Sequence, residues 1–290
     1  MFDICIIGGG VIGCAIAREL SRFDLSVVIA EKNSDVAEGT TKANSAIVHA
    51  GYDASPGSQK ARTNVAGNKL FAGWCRELSV PYLNNGSLVV AFDPADLPGL
   101  AELMARGQQN GVPGLSILDE SELRTLEPNI GPKACGALLA ETGSICCPYE
   151  LTIALAAQAV INGVQLELAR EVLSVRRVPD QGPNGGHFTM ETNRGPLSAR
   201  LLINAAGVYA DEINNQLSKE KFRIIPRRGE YWMLDKTFGS TFSRTIFQLP
   251  TAMGKGVLIT PTVEGTMILG PTADDIDDKA DVRTTAAGLE

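Results

Sequence analysis

The chain has 290 residues, 44% of them hydrophobic and 20% charged, a balance that suits a globular protein with a core large enough for two structural lobes. Its 26 basic and 33 acidic residues give a net charge of −7; without a basic run, this excludes the electrostatic footprint of a nucleic-acid binder. No apolar run reaches the ~20 residues of a membrane-spanning helix, and the apolar N-terminus has no basic leader and is broken by glycines at 8, 9, 10 and 13, so a cytoplasmic location is expected.

Residues 2–7 are a short β-branched run ending in glycines, the pattern of a buried strand. Residues 11–21 then place Ile12, Ala15, Ile16 and Leu20 at helical spacing, and 26–30 read as a second buried strand. The first thirty residues therefore form a βαβ unit. A small, polar, glycine-flanked loop follows at 40–51, then a helix at 64–78, a strand at 86–92 and helices at 96–110 and 120–127. Another helix is expected at 150–161, with strands at 164–168, 171–178, 188–192 and 201–205 and a hairpin loop at 179–186. Beyond Phe222 the pattern is mostly β, with strands at 222–234, 243–247, 256–260 and 266–270. Because βαβ-like material lies at both ends of an insertion, the fold class is α/β. A Rossmann-like βαβ domain (1–78 and 150–217) is interleaved with a mostly antiparallel β-sheet domain (79–149 and 218–290).

The glycines explain what the βαβ unit does. Gly8, Gly10 and Gly13 form G-x-G-x-x-G after a strand and at the opening of a helix. The first permits the tight turn, the second lets a pyrophosphate approach the backbone, and the third lets the helix pack close to the sheet. Ala17 keeps that helix–strand contact tight. The helix N-terminus offers N–H groups and a positive dipole end to phosphates. Glu31 ends the second strand about 20 residues on, where an acid accepts hydrogen bonds from a ribose diol and disfavours the 2′-phosphate of NADP. Glycines alone would equally describe an ordinary tight turn; with strand, helix and acid in order they describe a dinucleotide site. At this level NAD and FAD both remain open.

The six cysteines include no C-x-x-C pair, so zinc and thioredoxin-like chemistry have little support, and the adjacent Cys146 and Cys147 give little more for a redox pair. Cys5 and Cys14 are expected to be buried, inert thiols. The acid cluster Asp274, Asp275, Asp277 and Asp278 lacks the glycine and terminal glutamate of an EF-hand loop and reads as a solvated loop. No metal is expected.

Several spaced segments carry a resemblance. GTTKANSAIVHAGY (39–52), NGSLVVA (85–91), LEPNI (126–130), INAAGVYAD (203–211), IIPRRGEY (224–231), GKGVLITPT (254–262) and ILGPTA (268–273) occur in that order. Together they resemble the D-amino-acid-oxidase-like flavoprotein superfamily, with the glycerol-3-phosphate dehydrogenase and L-2-hydroxyglutarate dehydrogenase branches nearest. The resemblance implies FAD as the cofactor. In such proteins the loop after the second strand runs along the pyrophosphate and ribityl chain to the isoalloxazine ring. By position, Thr40, Thr41, Ser45 and Ala46 would contact FAD alongside Gly8, Gly10, Ile12, Gly13, Glu31 and Lys32. Val172 would hold adenine through its backbone, and the small residues Ala206 and Gly207 would let the nucleotide come close.

The same resemblance implies oxidation of a small anionic hydroxy compound, glycerol 3-phosphate or a 2-hydroxy acid, by hydride transfer to flavin. Electrons would pass on to a quinone, a protein or oxygen. The second domain would then be the substrate domain. An amine or amino-acid oxidase of the same fold, or a non-catalytic nucleotide-binding module, are the alternatives. Such chemistry needs a base for the hydroxyl proton and an anchor for the anion. Histidine suits the base, and of the two in the chain His49 lies in the flavin-facing loop while His187 adjoins the hairpin loop and reads as a solvated surface residue. Arg228 is the first choice of anchor, since guanidinium grips carboxylate or phosphate with parallel hydrogen bonds. Strand alternation would turn the neighbouring Arg227 to the opposite face. Lys255 is a second candidate, and Tyr231 could close the pocket with its hydroxyl. Relatives of this kind carry a further C-terminal segment, so the sequence is expected to be a piece of a longer chain.

Overall fold

The structure, a computed structural model, describes residues 1–179, 185–249 and 256–290. Two units emerge, each built from three separate segments. Residues 1–44, 148–227 and 275–282 form the first, and 45–147, 228–274 and 283–290 the second. The changeover at 147/148 lies next to the one expected at 149, whereas those expected at 78 and 217 fall at 44/45 and 227/228. The helix before position 78 belongs with the second unit because it drives Val65 into a core shared with Ala50, Tyr52 and Val89.

The first unit grows from β1 (Phe2–Ile7), α1 (Val11–Leu20) and β2 (Val27–Ala30). β1 lies parallel to β2 on one side and to the strand Leu197–Asn204 on the other. β2 is parallel to Gln165–Glu167. His187–Thr192 pairs antiparallel with Leu197–Asn204, and Val172–Val178 pairs antiparallel with His187–Thr192, making six strands. Strand alternation explains the continuous apolar run of β1. Ile4 and Ile6 face a core with Ala17 of α1 and Ala159 of the helix Pro148–Ile161, whereas Cys5 and Ile7 face one with Val175, Met190 and Ile213. Both faces are thus covered.

The second unit is a seven-stranded sheet in the spatial order Trp232–Leu234, Met267–Gly270, Leu258–Pro261, Thr245–Gln248, Ser87–Ala91, Gly136–Ala140 and Leu115–Asp119. Every pairing in it is antiparallel except that of Thr245–Gln248 with Ser87–Ala91. A smaller three-stranded sheet joins Ile47–Val48, Ser144–Cys146 and Tyr82–Leu83. The unit also carries α2 (Gln59–Glu77), α3 (Leu97–Gln109) and the short helix Glu120–Leu126, whose Asp119 and Glu122 form a capping box. The fold is the mixed α/β class expected.

Three differences have local causes. The single strand expected at 222–234 survives only as Arg227–Arg228 and Trp232–Leu234, because Pro226 and Gly229 interrupt it. The helix Ala210–Leu217 is absent from the sequence reading; it buries only Asp211 and Ile213, too little for a periodic signal. The strand Gly136–Ala140 has no β-branched residue to announce it. Among the described residues no helix is long and apolar enough to cross a membrane.

Candidate functional site: a nucleotide groove and a histidine loop

The first unit contains a groove of about 590 Å³ at the C-terminal ends of β1 and β2, within the range of small-molecule sites. Its floor is backbone that side chains cannot occupy. Gly8 has φ +107°, and a Cβ there would strike the carbonyl oxygen of Ala205. A Cβ on Gly13 would strike the Gly8 carbonyl, so Gly13 lies beneath the groove and lets α1 seat against the turn. The α1 N-terminus opens on Gly10, which has no side chain to cap it, and its first turn holds no acid. The Val11 N–H donates to Thr41 Oγ1 (3.1 Å). Thr41 thus engages one N–H of that helix end, and with no acid in the first turn the end still presents a positive pole to an anion.

Glu31 faces the same groove and is only 7% exposed. Its Oε2 accepts the Gly9 N–H at 2.6 Å and its Oε1 the Asn33 N–H at 2.9 Å. Two backbone donors hold the carboxylate in place at the end of β2. Lys32, Thr40 and Thr41 line the groove, as do Val172, Ala206 and Gly207. Ile12 lines it too and is 62% exposed, an apolar side chain left uncovered beside the site. A glycine-edged turn, a helix N-terminus with no acid in its first turn and a buried acid at one groove fit the pyrophosphate and ribose of FAD. These residues would hold the ADP half of the cofactor, and FAD itself would supply a two-electron acceptor.

Sequence reasoning missed part of the wall. Asn44, Arg170, Tyr209 and Glu212 also line the groove. Lys32 Nζ sits 3.7 Å from the centre of the Tyr209 ring, a cation–π contact. Behind it Lys279 pairs with Asp211 (2.5 Å) and Glu212 (2.9 Å), tying residues 275–282 to the first unit. Asn44 and Tyr209 fall inside segments that carry the resemblance, at 39–52 and 203–211, whereas Arg170 and Glu212 fall in none. The acids read as a solvated loop are partly engaged: Asp275 pairs with Arg227 at 2.7 Å and Asp277 with Arg223 at 3.5 Å.

The expected chemical residues lie in the second unit, as do Ser45 and Ala46. His49 is exposed, follows the strand Ile47–Val48, and faces Phe247 at 5.9 Å between ring centres. It lines a small recess with Tyr52, Asp53 and Gln248. Tyr231 hydrogen-bonds Ser45 Oγ at 2.8 Å, and Ala46 adopts φ +59°. The Arg228 side chain is mostly buried and its Nε lies 3.5 Å from Oε2 of the buried Glu230, whose Oε1 and Oε2 also accept from Thr285. Arg227 instead meets Asp275, so the two arginines do take different partners. Lys255 lies outside the described residues. His187 opens a strand of the first unit, half-buried, and is not part of the groove lining. Burial pushes the thiols of Cys5, Cys14 and Cys146 up to about 12, which leaves them protonated and poor nucleophiles near neutral pH.

A family model described as FAD dependent oxidoreductase (DAO) matches residues 3–290. A glycerol 3-phosphate dehydrogenase of Caloramator mitchellensis is 50% identical over 289 residues, covering 100% of this chain and 59% of the relative. The mitochondrial L-2-hydroxyglutarate dehydrogenase of Homo sapiens is 30% identical over 291 residues, covering 94% and 61%. The solved structure of dithionite-reduced L-α-glycerophosphate oxidase from Mycoplasma pneumoniae, with FAD bound, superposes with a TM-score of 0.90 at 31% identity. That match covers 99% of this chain and 75% of that one. The chain thus spans about 60% of the length of these two curated relatives.

Proposed function

This chain belongs to the DAO family of FAD-dependent oxidoreductases, and from that premise we propose that its parent protein oxidises a small anionic hydroxy compound, glycerol 3-phosphate or a 2-hydroxy acid. The observation that carries the reading is the groove of the first unit, where Glu31 and the glycine turn present the acceptor and donors that an ADP group needs. The choice of substrate class is supported by the 50% identity to a glycerol 3-phosphate dehydrogenase. Bound FAD would supply the two-electron acceptor for the hydride of the substrate carbon.

The chain's own residues have the remaining tasks. His49 takes the hydroxyl proton: it is solvent-exposed, carries a base suited to neutral pH, and sits in the loop that follows the cofactor-contacting segment. Arg228 supplies positive charge for the anionic end, with the buried Glu230 fixing its orientation. Tyr231, held by Ser45, closes the pocket with its hydroxyl. The domain roles follow: the first unit holds the nucleotide and the second the substrate. The electron acceptor is a quinone, a protein or oxygen.

The test is anaerobic. The full-length protein is purified, its visible flavin spectrum recorded, and substrates added. Bleaching by glycerol 3-phosphate or a 2-hydroxy acid supports the proposal. Bleaching by amines or amino acids alone refutes the substrate class, and a protein that never takes up flavin refutes the whole reading.

A further inference from the structure

α2 carries two asparagines one turn apart, Asn64 and Asn68, near the middle of a 19-residue helix. Asparagine is a poor helix former, so its presence twice on one face asks for a reason beyond the helix. Both side chains reach the same atom. Asn64 Nδ2 donates to the His49 carbonyl oxygen at 2.8 Å, and Asn68 Nδ2 donates to it at 3.2 Å. A carbonyl has two lone pairs, and the pair of amides occupies both. Asn68 also donates to the Thr142 carbonyl at 2.8 Å, tying the His49 backbone to the turn after the strand Gly136–Ala140.

The residues that follow are held in the same manner. Asn110, just beyond α3, donates to the carbonyls of Gly51 (3.0 Å) and Ala54 (2.7 Å). Gly51 has φ +110°, and a Cβ there would come within 2.7 Å of Val65 Cγ2, so only glycine lets the loop lie against α2. The His49 ring itself is exposed, with a tilted Phe247 on one side. The backbone clasp therefore sets where the imidazole starts from, with the Phe247 ring 5.9 Å away between centres.

We infer that Asn64 and Asn68 are positioning residues that aim His49 at the substrate hydroxyl. The inference rests on the reading of His49 as the base. Neither amide touches substrate; each acts through the His49 peptide. A displacement of about 1 Å at a base can cost on the order of 10²-fold in rate, and loss of both amides releases the carbonyl that limits such a displacement.

The experiment uses the full-length, flavin-loaded protein and follows anaerobic flavin reduction by glycerol 3-phosphate at saturation. Wild type is compared with H49A, N64A/N68A and the triple variant. Asn68→Asp, which keeps the shape and loses the donor, stands in if the double variant does not fold. The expected result for N64A/N68A, or for N68D, is a reduction rate lower by roughly 10- to 100-fold, with KM within a few-fold and flavin content unchanged. In the H49A background the same changes should add nothing, because residues that act as a unit are non-additive. Wild-type rates in both asparagine variants with a slow H49A overturn the inference and leave the reading of His49 standing. Full additivity in the triple variant also overturns it, since that marks a purely structural role. Wild-type rates in H49A remove the reading and the inference together.

Discussion

Replacing Glu31 with Gln perturbs the groove at a side chain that holds two backbone N–H groups. Its carboxylate accepts the Gly9 and Asn33 N–H groups at 2.6 and 2.9 Å; hydrogen bonds to a charged group contribute about 1.5–3 kcal/mol each, against about 0.5–1.5 for neutral ones. The amide keeps the shape but offers one oxygen and turns an NH₂ toward a backbone donor. The turn should lose about 1–3 kcal/mol of stability on that account. A ribose diol held by Glu31 would exchange a charged acceptor for a neutral one at two hydroxyls, a loss of about 2–3 kcal/mol, or roughly 30- to 150-fold in Kd for FAD. The assay is quenching of flavin fluorescence on titration into the apo full-length protein, with a thermal melt alongside to separate affinity from folding. A Kd within twofold of wild type would refute the reasoning, because it would mean that Glu31 meets no part of the cofactor.

The two inner glycines should separate fold from binding. Gly13→Ala drives a methyl into the Gly8 carbonyl and should lower Tm by several degrees, whereas Gly10→Ala meets only Thr41 Oγ1 at 3.2 Å and should keep the fold while weakening FAD. Circular dichroism melts and flavin titration check both, and equal effects on both readouts would contradict the assignment. The Lys279 pair gives a pH signature. Burial raises the Asp211 carboxyl, but the Lys279 ammonium and the Ile224 N–H outweigh it and hold it below its usual value. A depressed folded value means that this stabilisation is present above the ordinary pKa of 3.8 and is lost as pH falls through the lower folded value. Burial likewise opposes the Lys279 charge, and its bonds to Asp211 and Glu212 raise it overall, so its share is present at neutral pH and lost only above the ordinary lysine range. Lys279→Ala should therefore lower Tm at pH 7 (differential scanning fluorimetry reads this) and lower it less at pH 3. An equal drop at both values would contradict the pairing.

What sequence reveals and what it hides follow from the range of each interaction. The turn at Gly8–Gly13, α1 and the end of β2 are legible because glycine conformation, helical spacing and β-branched runs are local properties. Glu31 is legible for the same reason: strand length fixes where it falls. Arg228 is different. Its ion pair with Glu230, two residues on, is local, but Glu230 is itself held by Thr285, more than fifty residues along the chain. No local pattern announces that contact. The stacking of Lys32 on Tyr209 is hidden likewise, since it forms only once two distant segments of the first unit have packed. The domain changeover at 44/45 rather than near 78 is set by which core accepts Val65, a decision made by tertiary packing.

The account stands most directly on where the nucleotide lies, and a crystal structure of the flavin-loaded full-length protein measures that. The pyrophosphate should rest against the N-terminus of α1 beside Gly10, with both ribose hydroxyls within hydrogen-bonding distance of the Glu31 carboxylate. Flavin bound with its adenosine away from this groove, or with the Glu31 carboxylate turned from the ribose, would contradict it.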